Sequence, residues 1–422
     1  MIKESITALE QFLHTDVRYL IGGSFWLTVG RGSGALIAFL LSILYARYLP
    51  KELYGDYRYV LSVLGALGIF ALPGMARVIT RGVARGFEGT FLRGARFIFF
   101  ASFVITAAGA GVAGWFFTHG NTALGWGLLI GALLTPFAEG LGNWRAYFDG
   151  MRRFREKTFW NICASVFQGL FMAGIIVAIW YFSLSPVWSI ALFVGIFYLS
   201  HAIPNILWHT LTRRSIKRNA LSEPGAIRYG FHLTMLEAPA TLSYFIDSIL
   251  LHAFLGPSAL AVYAFAIAPP EQIKAFLGTT VSAAFPKLAA RFKERDSFQE
   301  LRATLPGKIF RVTLFSAGIV AAYIVAAPFF FKIFFPAYTD SVLFSQVFAL
   351  SLVLFPFGFF HIAIQTEGNL RKVYWDQLSW PFIQIALLFI LIPLFGIWGA
   401  VIGKIIGRAF NHGISYLIFS HR

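Results

Sequence analysis

A single cysteine, Cys163, excludes a disulfide framework and any metal site built on cysteine ligands. It lies in an apolar run, where a small core residue is expected. Charge is scarce too: Asp, Glu, Lys and Arg make up 13% of the 422 residues, and apolar residues 58%. An ordinary soluble domain carries about 25% charged and roughly 45–50% apolar residues. One aqueous core cannot hide that much apolar surface, so lipid is the expected solvent for most of the chain. Acids are the scarcer sign, 19 against 35 Lys and Arg, for a net charge of +16. No G-x-x-x-x-G-K-[ST] stretch occurs, which excludes nucleotide hydrolysis through that loop. No catalytic residue, metal or cofactor is expected.

Seventeen prolines and thirty-nine glycines are spread through the apolar runs. Membrane helices tolerate both, because neighbouring helices satisfy the broken backbone bonds. Residues 1–18 mix Lys3, Glu4, Glu10, Asp16 and Arg18 with Ile6, Leu9, Phe12 and Leu13. That stretch is amphipathic and too charged for a signal peptide. A short interfacial helix followed by an uncleaved span is expected. Twelve runs approach the roughly 20 apolar residues that cross the hydrocarbon core. They centre near Ile37, Ala66, Thr106, Ile130, Gly169, Phe197, Leu242, Ile273, Ala321, Leu354, Leu387 and Gly407. Pro73, Pro136, Pro239, Pro269-Pro270 and Pro356 are candidate kinks.

The connections alternate in charge. One set carries Arg81, Arg85, Arg93 and Arg96; Arg152, Arg153, Arg155 and Lys157; Arg213, Arg214, Lys217 and Arg218; Lys287, Arg291, Lys293, Arg295 and Arg302; and Arg371 with Lys372. The other set is short and almost free of Lys and Arg, apart from Arg47, Lys51 and Arg58. Basic loops stay in the cytoplasm, so both termini are expected inside. The same distribution explains the net charge by orientation and contact with anionic headgroups of the membrane lipids, and no nucleic-acid partner is expected.

A shift of 206 residues lays the chain on itself. Ser42-Ile43-Leu44 meets Ser248-Ile249-Leu250, Tyr57 meets Tyr263, and Ala84-Arg85 meets Ala290-Arg291. A second register pairs Leu134-x-Pro136-Phe137 with Leu354-x-Pro356-Phe357. The expected architecture is all-α and polytopic, with about 12 transmembrane helices in two six-helix bundles, residues 1–219 and 220–422. An even repeat returns each half to the same side, so the axis runs along the membrane normal, with a substrate site between the halves.

The segment Ala46-Arg47-Tyr48-Leu49-Pro50-Lys51-Glu52-Leu53-Tyr54-Gly55-Asp56-Tyr57 resembles the signature that follows the first helix of polysaccharide-export flippases. These are the Wzx-type O-antigen flippases and their relatives in the multidrug/oligosaccharidyl-lipid/polysaccharide (MOP) superfamily, which also includes the MATE transporters. Asp247 with Leu250-Leu251, Leu255-Gly256 and Tyr263 is similar to the family's seventh-helix stretch. Ala284-Phe285-Pro286-Lys287-Leu288 and Ile392-Pro393-Leu394-Phe395-Gly396-Ile397-Trp398-Gly399-Ala400 resemble its eighth-helix ending and the entry to its last helix. The resemblance implies a bacterial inner-membrane protein of polysaccharide biosynthesis. Its cargo would be a lipid-linked oligosaccharide on undecaprenyl pyrophosphate, carried from the cytoplasmic to the periplasmic leaflet. Assembly with polysaccharide polymerase machinery is left open.

Ionisable groups at mid-membrane cost roughly 2.5–3.5 kcal/mol each and need a partner or a wet cavity. The candidates are Arg31, Glu139, Arg145, Glu237, Asp247, Glu271, Lys274, Lys404 and Arg408. Arg31 is flanked by Gly30, Gly32 and Gly34, and the 206-residue shift sets it opposite Glu237. It is read either as an anion-binding group or as half of a structural ion pair with Glu237. Lys404, Arg408 and His412 recur every four residues and form one cationic stripe. Arg31, Lys404, Arg408, Lys274 and Arg145 are the expected substrate-binding cations, since a guanidinium fork suits a pyrophosphate. Glu139, Glu237, Asp247 and Glu271 are the expected ion-coupling or charge-pairing acids. Glu271 and Lys274, three apart, would neutralise each other on one helix face. For Asp247, a coupling cation and a helix-to-helix hydrogen bond are both open.

Two other functions compete. A multidrug or cation antiporter of the same superfamily needs acids and aromatics, which the 18% aromatic content permits and the cationic stripe opposes. A membrane-embedded glycan polymerase or glycosyltransferase needs a positioned acid, base or metal beside a sizeable polar cleft. The outer loops are too short to build one.

Overall fold

The computed structural model describes residues 17–217, 219–291, 295–367 and 369–420. The amphipathic stretch over residues 1–16 and the basic residues Arg218 and Lys293 lie outside the described residues, as do the side chains of Lys287, Arg291, Arg295 and Arg302.

Every described regular element is helical. In order they are α1 (Val17–Tyr48), α2 (Lys51–Leu67), α3 (Gly74–Ala84), α4 (Gly89–Ala101), α5 (Phe103–Thr118), α6 (Thr122–Ala138), α7 (Trp144–Gly150) and α8 (Phe154–Phe182). There follow α9 (Pro186–Ser215), α10 (Ala226–Leu255), α11 (Pro257–Arg291), α12 (Arg295–Phe334), α13 (Ser341–Ala349), α14 (Gly358–Glu367), α15 (Leu370–Phe395) and α16 (Ile397–Ser420). Among the described residues eight helices are long and apolar enough to cross a membrane, and a ninth follows if the bent pair α2–α3 is one span. Each of the twelve sequence centres lies in a helical segment. Three of the expected spans fall short of the test for identifiable reasons. Helix α6 has only 17 residues, part of α11 lies among side chains that are not described, and α16 carries Lys404, Arg408, Asn411 and His412.

The prolines act unequally. At Leu72-Pro73 the chain bends by 44°, with Leu72 in the left-handed region at φ 53°. Helix α6 ends two residues after Pro136, and Pro356 lies in the tight 3-10 turns over Leu350–Phe357 that separate α13 from α14. The two prolines paired by the second sequence register therefore both stand at interruptions. Pro239, Pro269 and Pro270 are absorbed inside continuous α10 and α11.

Helices α2 and α3 form the seam between the N- and C-terminal halves of the chain, packing on α10 and α11. The backbones approach closely where glycine permits. A Cβ on Gly55 would fall 1.9 Å from the Pro257 carbonyl oxygen, and one on Gly74 would fall 2.5 Å from the Thr234 nitrogen. Lipid provides no hydrophobic drive between helices, so such close packing and interhelical polar bonds must hold them together. At one end of the seam His252 Nε2 meets Asp56 Oδ1 at 2.8 Å, Lys51 meets Asp340 at 3.2 Å, and Arg47 donates to the Ile333 carbonyl at 2.8 Å. At the other end Arg81 and Arg85 share Glu223 at 3.2 and 3.0 Å.

Cys163 departs from its sequence reading. It faces outward on α8 instead of packing in the core.

Candidate functional site

Two cavities collect most of the expected charges, one in each half of the chain. The first, about 480 Å³, opens where α6 breaks into α7 and is lined by Glu139, Arg145, Tyr198, His201, Asn205 and Phe245. Its guanidinium is held by amides. Arg145 Nε donates to Asn161 Oδ1 at 2.8 Å, and another guanidinium nitrogen donates to Asn205 Oδ1 at 3.0 Å. Asn205 also accepts from Trp144 Nε1 at 3.0 Å, which fixes its orientation. Glu139 lies within electrostatic reach of Arg145 but forms no ion pair among the described residues.

The second cavity, about 450 Å³, is lined by Tyr244, Glu271, Lys274, Lys404, Arg408 and His412, among others. It adjoins the Pro356 interruption, as the first adjoins Pro136. The four-residue stripe on α16 thus faces a single space, because helical positions four apart share a face. Within it Lys404 Nζ lies 2.5 Å from Asp247 Oδ2, and both side chains are buried. Asp247 also accepts from Tyr263 Oη at 2.5 Å and from the Ser248 backbone N–H at 2.7 Å. Arg408 bonds Glu271 and donates to Ser351 Oγ at 2.6 Å, while Lys274 reaches Glu271 at 3.8 Å. Three cations share two carboxylates, so one positive charge is left over in a half-enclosed space.

The structure divides the sequence-derived set. Lys274, Lys404 and Arg408 converge with Glu271 and Asp247, whereas Arg145 and Glu139 sit in the other cavity. Arg31 joins neither. It is exposed on α1, among the described residues no acid pairs with it, and the space at Gly32 and Gly34 is open to beyond 4 Å. The expected pairing of Arg31 with Glu237 is corrected: Glu237 is taken by Arg77 on α3, at 2.8 Å. That contact is charge against charge, with no well-aligned hydrogen bond at the same Glu237 oxygen. The reason is geometric, because the 44° bend swings α3 onto α10 and delivers Arg77 there first. The Glu271–Lys274 pair forms, but Arg408 shares it. Of the two alternatives for Asp247, the structure provides the helix-to-helix contacts, to Tyr263 on α11 and Lys404 on α16.

Two residues escaped the sequence reading. Arg77, Arg81 and Arg85 repeat every four positions, the same signal as the α16 stripe, and the charge of the loops points to the last two alone. Arg58, a loop charge by the sequence pattern, is helical. It lies two turns inside α2 with Tyr54, Tyr57, Tyr244 and Asp247 within electrostatic reach. Its Nε is buried without a hydrogen-bond partner. The Tyr54-x-x-Tyr57-Arg58 spacing, aromatic and basic on consecutive helical positions, was the available clue.

Over residues 20–292, well over half the chain, the sequence matches the family described as "Polysaccharide biosynthesis protein". No curated protein matches the chain in sequence. Several solved structures share the fold. One is an outward-facing multidrug resistance MATE family transporter of the MOP superfamily, 16% identical with TM-score 0.61, covering 96% of each chain. An inward-facing structure described in the same terms is 17% identical with TM-score 0.63, covering 91% of this chain and 93% of that one. A MOP superfamily transporter from Pyrococcus furiosus, described as having a binding pocket of reverse polarity, is 15% identical with TM-score 0.60, covering 94% of each chain. The chain belongs to the polysaccharide biosynthesis protein family and is built on the fold of the MOP superfamily transporters.

Proposed function

We propose that this chain is a flippase that moves a lipid-linked oligosaccharide, with its pyrophosphate headgroup, from the cytoplasmic to the periplasmic leaflet of a bacterial inner membrane. The observation that carries this reading is the cation excess of the second cavity, with Arg58, whose Nε has no hydrogen-bond partner among the described residues, across the seam. A pyrophosphate carries about two negative charges, and shielded guanidinium groups are what it needs. The acids beside Lys404 and Arg408 keep those cations affordable in the empty state and are displaced in part by phosphate oxygens. The lipid tail stays in the bilayer while headgroup and glycan pass between the halves. With the cytoplasm negative, outward movement of two negative charges gains roughly 4–5 kcal/mol at about 100 mV.

The reading carries an architecture: twelve spans, both termini cytoplasmic, and two six-helix bundles over 1–219 and 220–422 that rock against each other. The related positions of the Pro136 and Pro356 interruptions support it. Outside labelling of single cysteines in a Cys163→Ser background should modify positions 119, 186 and 257 and spare 88, 153, 217 and 372. Labelling at 217 from outside overturns the topology.

The role of Arg31 is now narrower. Exposed, and without an acid partner among the described residues, it serves as a first contact for the headgroup rather than as its seat. Arg58→Ala and Arg408→Ala should each lower export at least about tenfold in inserted, folded protein, whereas Arg31→Ala should only slow it severalfold. Full export by both of the first two variants removes the pyrophosphate reading. A transporter rather than an enzyme is proposed because the fold is that of membrane transporters, and both carboxylates beside Lys404 and Arg408 are engaged by cations. An organic-cation antiporter would want the opposite excess of sign there.

A further inference from the structure

A third cavity, the largest of those described at about 1080 Å³, lies away from both charged ones, between α4 and the C-terminal part of α9. Its wall is apolar, with Phe99, Phe100 and Leu141, and its rim carries Arg96, Arg213 and Arg214. Phe100 is 64% exposed, so the groove opens sideways toward lipid rather than into the bundle. The start of α4 lies at the end of α9, with the Gly89 N–H on the Leu221 carbonyl at 3.0 Å and Phe91 against His209, so Arg213 and Arg214 stand at that end of the groove, Arg96 farther in, and Phe99 and Phe100 one turn deeper.

Its charges are held differently from their neighbours. Four other cations at this end of the helices have carboxylate partners: Arg81 and Arg85 take Glu223, Arg153 takes Glu156, and Lys157 takes Asp149; Arg93, Arg155 and Lys217, outside the groove, have none among the described residues. Among the described residues, no acid pairs with Arg96, Arg213 or Arg214. His209, on the groove wall beside Arg213, also keeps a buried Nδ1 without a partner. Three unneutralised guanidiniums above an apolar trough match a molecule with an anionic head and a hydrocarbon chain.

We infer that this groove is a binding site for an anionic phospholipid of the leaflet that meets the C-terminal end of α9, the cytoplasmic one in the orientation proposed above. The phosphate lies against Arg96, Arg213 and Arg214, and an acyl chain runs along Phe99, Phe100 and Leu141. The site is separate from the central cavities and does not depend on what they carry. A bound lipid there buttresses the Gly140–Asn143 break between α6 and α7, since Leu141 borders this groove while Gly142 and Asn143 line the first cavity.

Native mass spectrometry of the detergent-solubilised full chain tests this with phosphatidylglycerol and phosphatidylcholine of identical chains. Phosphatidylglycerol should be retained and phosphatidylcholine washed away. The triple variant Arg96→Gln, Arg213→Gln, Arg214→Gln should retain phosphatidylglycerol on the order of 100-fold less, at about fivefold per arginine. Arg213→Gln alone, at an exposed helix end, gives the fivefold test in a protein certain to keep its packing. Arg85→Gln with Arg153→Gln, whose charges are already paired, should leave retention unchanged. Equal loss in that control means diffuse attraction by the basic loops and overturns the site. So does retention of phosphatidylcholine equal to that of phosphatidylglycerol, or displacement of phosphatidylglycerol by inorganic phosphate at equal concentration, which would mark a bare anion site.

Discussion

Around Arg145 positive charge is spread over amide oxygens; around Lys404 and Arg408 it is interleaved with carboxylates. Both cavities adjoin interruptions that the internal sequence register pairs, at Pro136 and at Pro356, so similar backbone breaks frame different chemistry. Amides leave a neutral remainder when the cation is removed. Carboxylates leave a stranded charge. Removing the cation of the buried Lys404–Asp247 pair should therefore damage stability as well as transport, and substitutions in the first cavity should damage transport alone.

The largest effect is expected at Lys404. Lys404→Met removes the ion-pair partner of Asp247, 0% exposed, and leaves it Tyr263, Ser248 and the more distant Arg58. Breaking such a buried pair costs about 3–5 kcal/mol, read as lost thermal stability in detergent. Adding Asp247→Asn should restore most of it, because an amide oxygen still accepts from Tyr263. A double variant as unstable as the single one breaks the comparison. Arg408→Ala comes next. Glu271 keeps Lys274, so folding should survive, while export falls ten- to a hundredfold for a lost charge-assisted contact of about 1.5–3 kcal/mol. In the first cavity, Arg145→Lys should keep the charge but lose one of the two amide bonds, slowing export severalfold with unchanged stability. A stability loss there equal to that at Lys404 would erase the difference between the halves. The smallest effect is expected at Arg153→Ala, an exposed pair with Glu156, within about 0.5 kcal/mol.

The helical fold and the α16 stripe were legible because they depend on local periodicity. Lys404, Arg408 and His412 share a face whatever they meet. Pairing across the seam was not legible. Arg31 and Glu237 are aligned by the repeat, but their separation in space is set by the bend at Leu72-Pro73, and the residue that arrives at Glu237 is Arg77. The helical position of Arg58 is hidden in the sequence for a related reason. Positive loops and positive helix starts look alike until the first helical turn is fixed, and α2 begins at Lys51, seven residues earlier. The exposure of Cys163 follows from lipid as solvent, where an apolar surrounding does not mean a core.

The most direct test is flipping in proteoliposomes of two substrates that share one glycan, the first on a polyprenyl pyrophosphate and the second on an uncharged polyprenyl ether. The account predicts rapid transfer of the first, little of the second, and loss of the first in Arg58→Ala and Arg408→Ala proteins that remain folded. Equal rates for both lipids, or an undiminished rate in both variants, would contradict it.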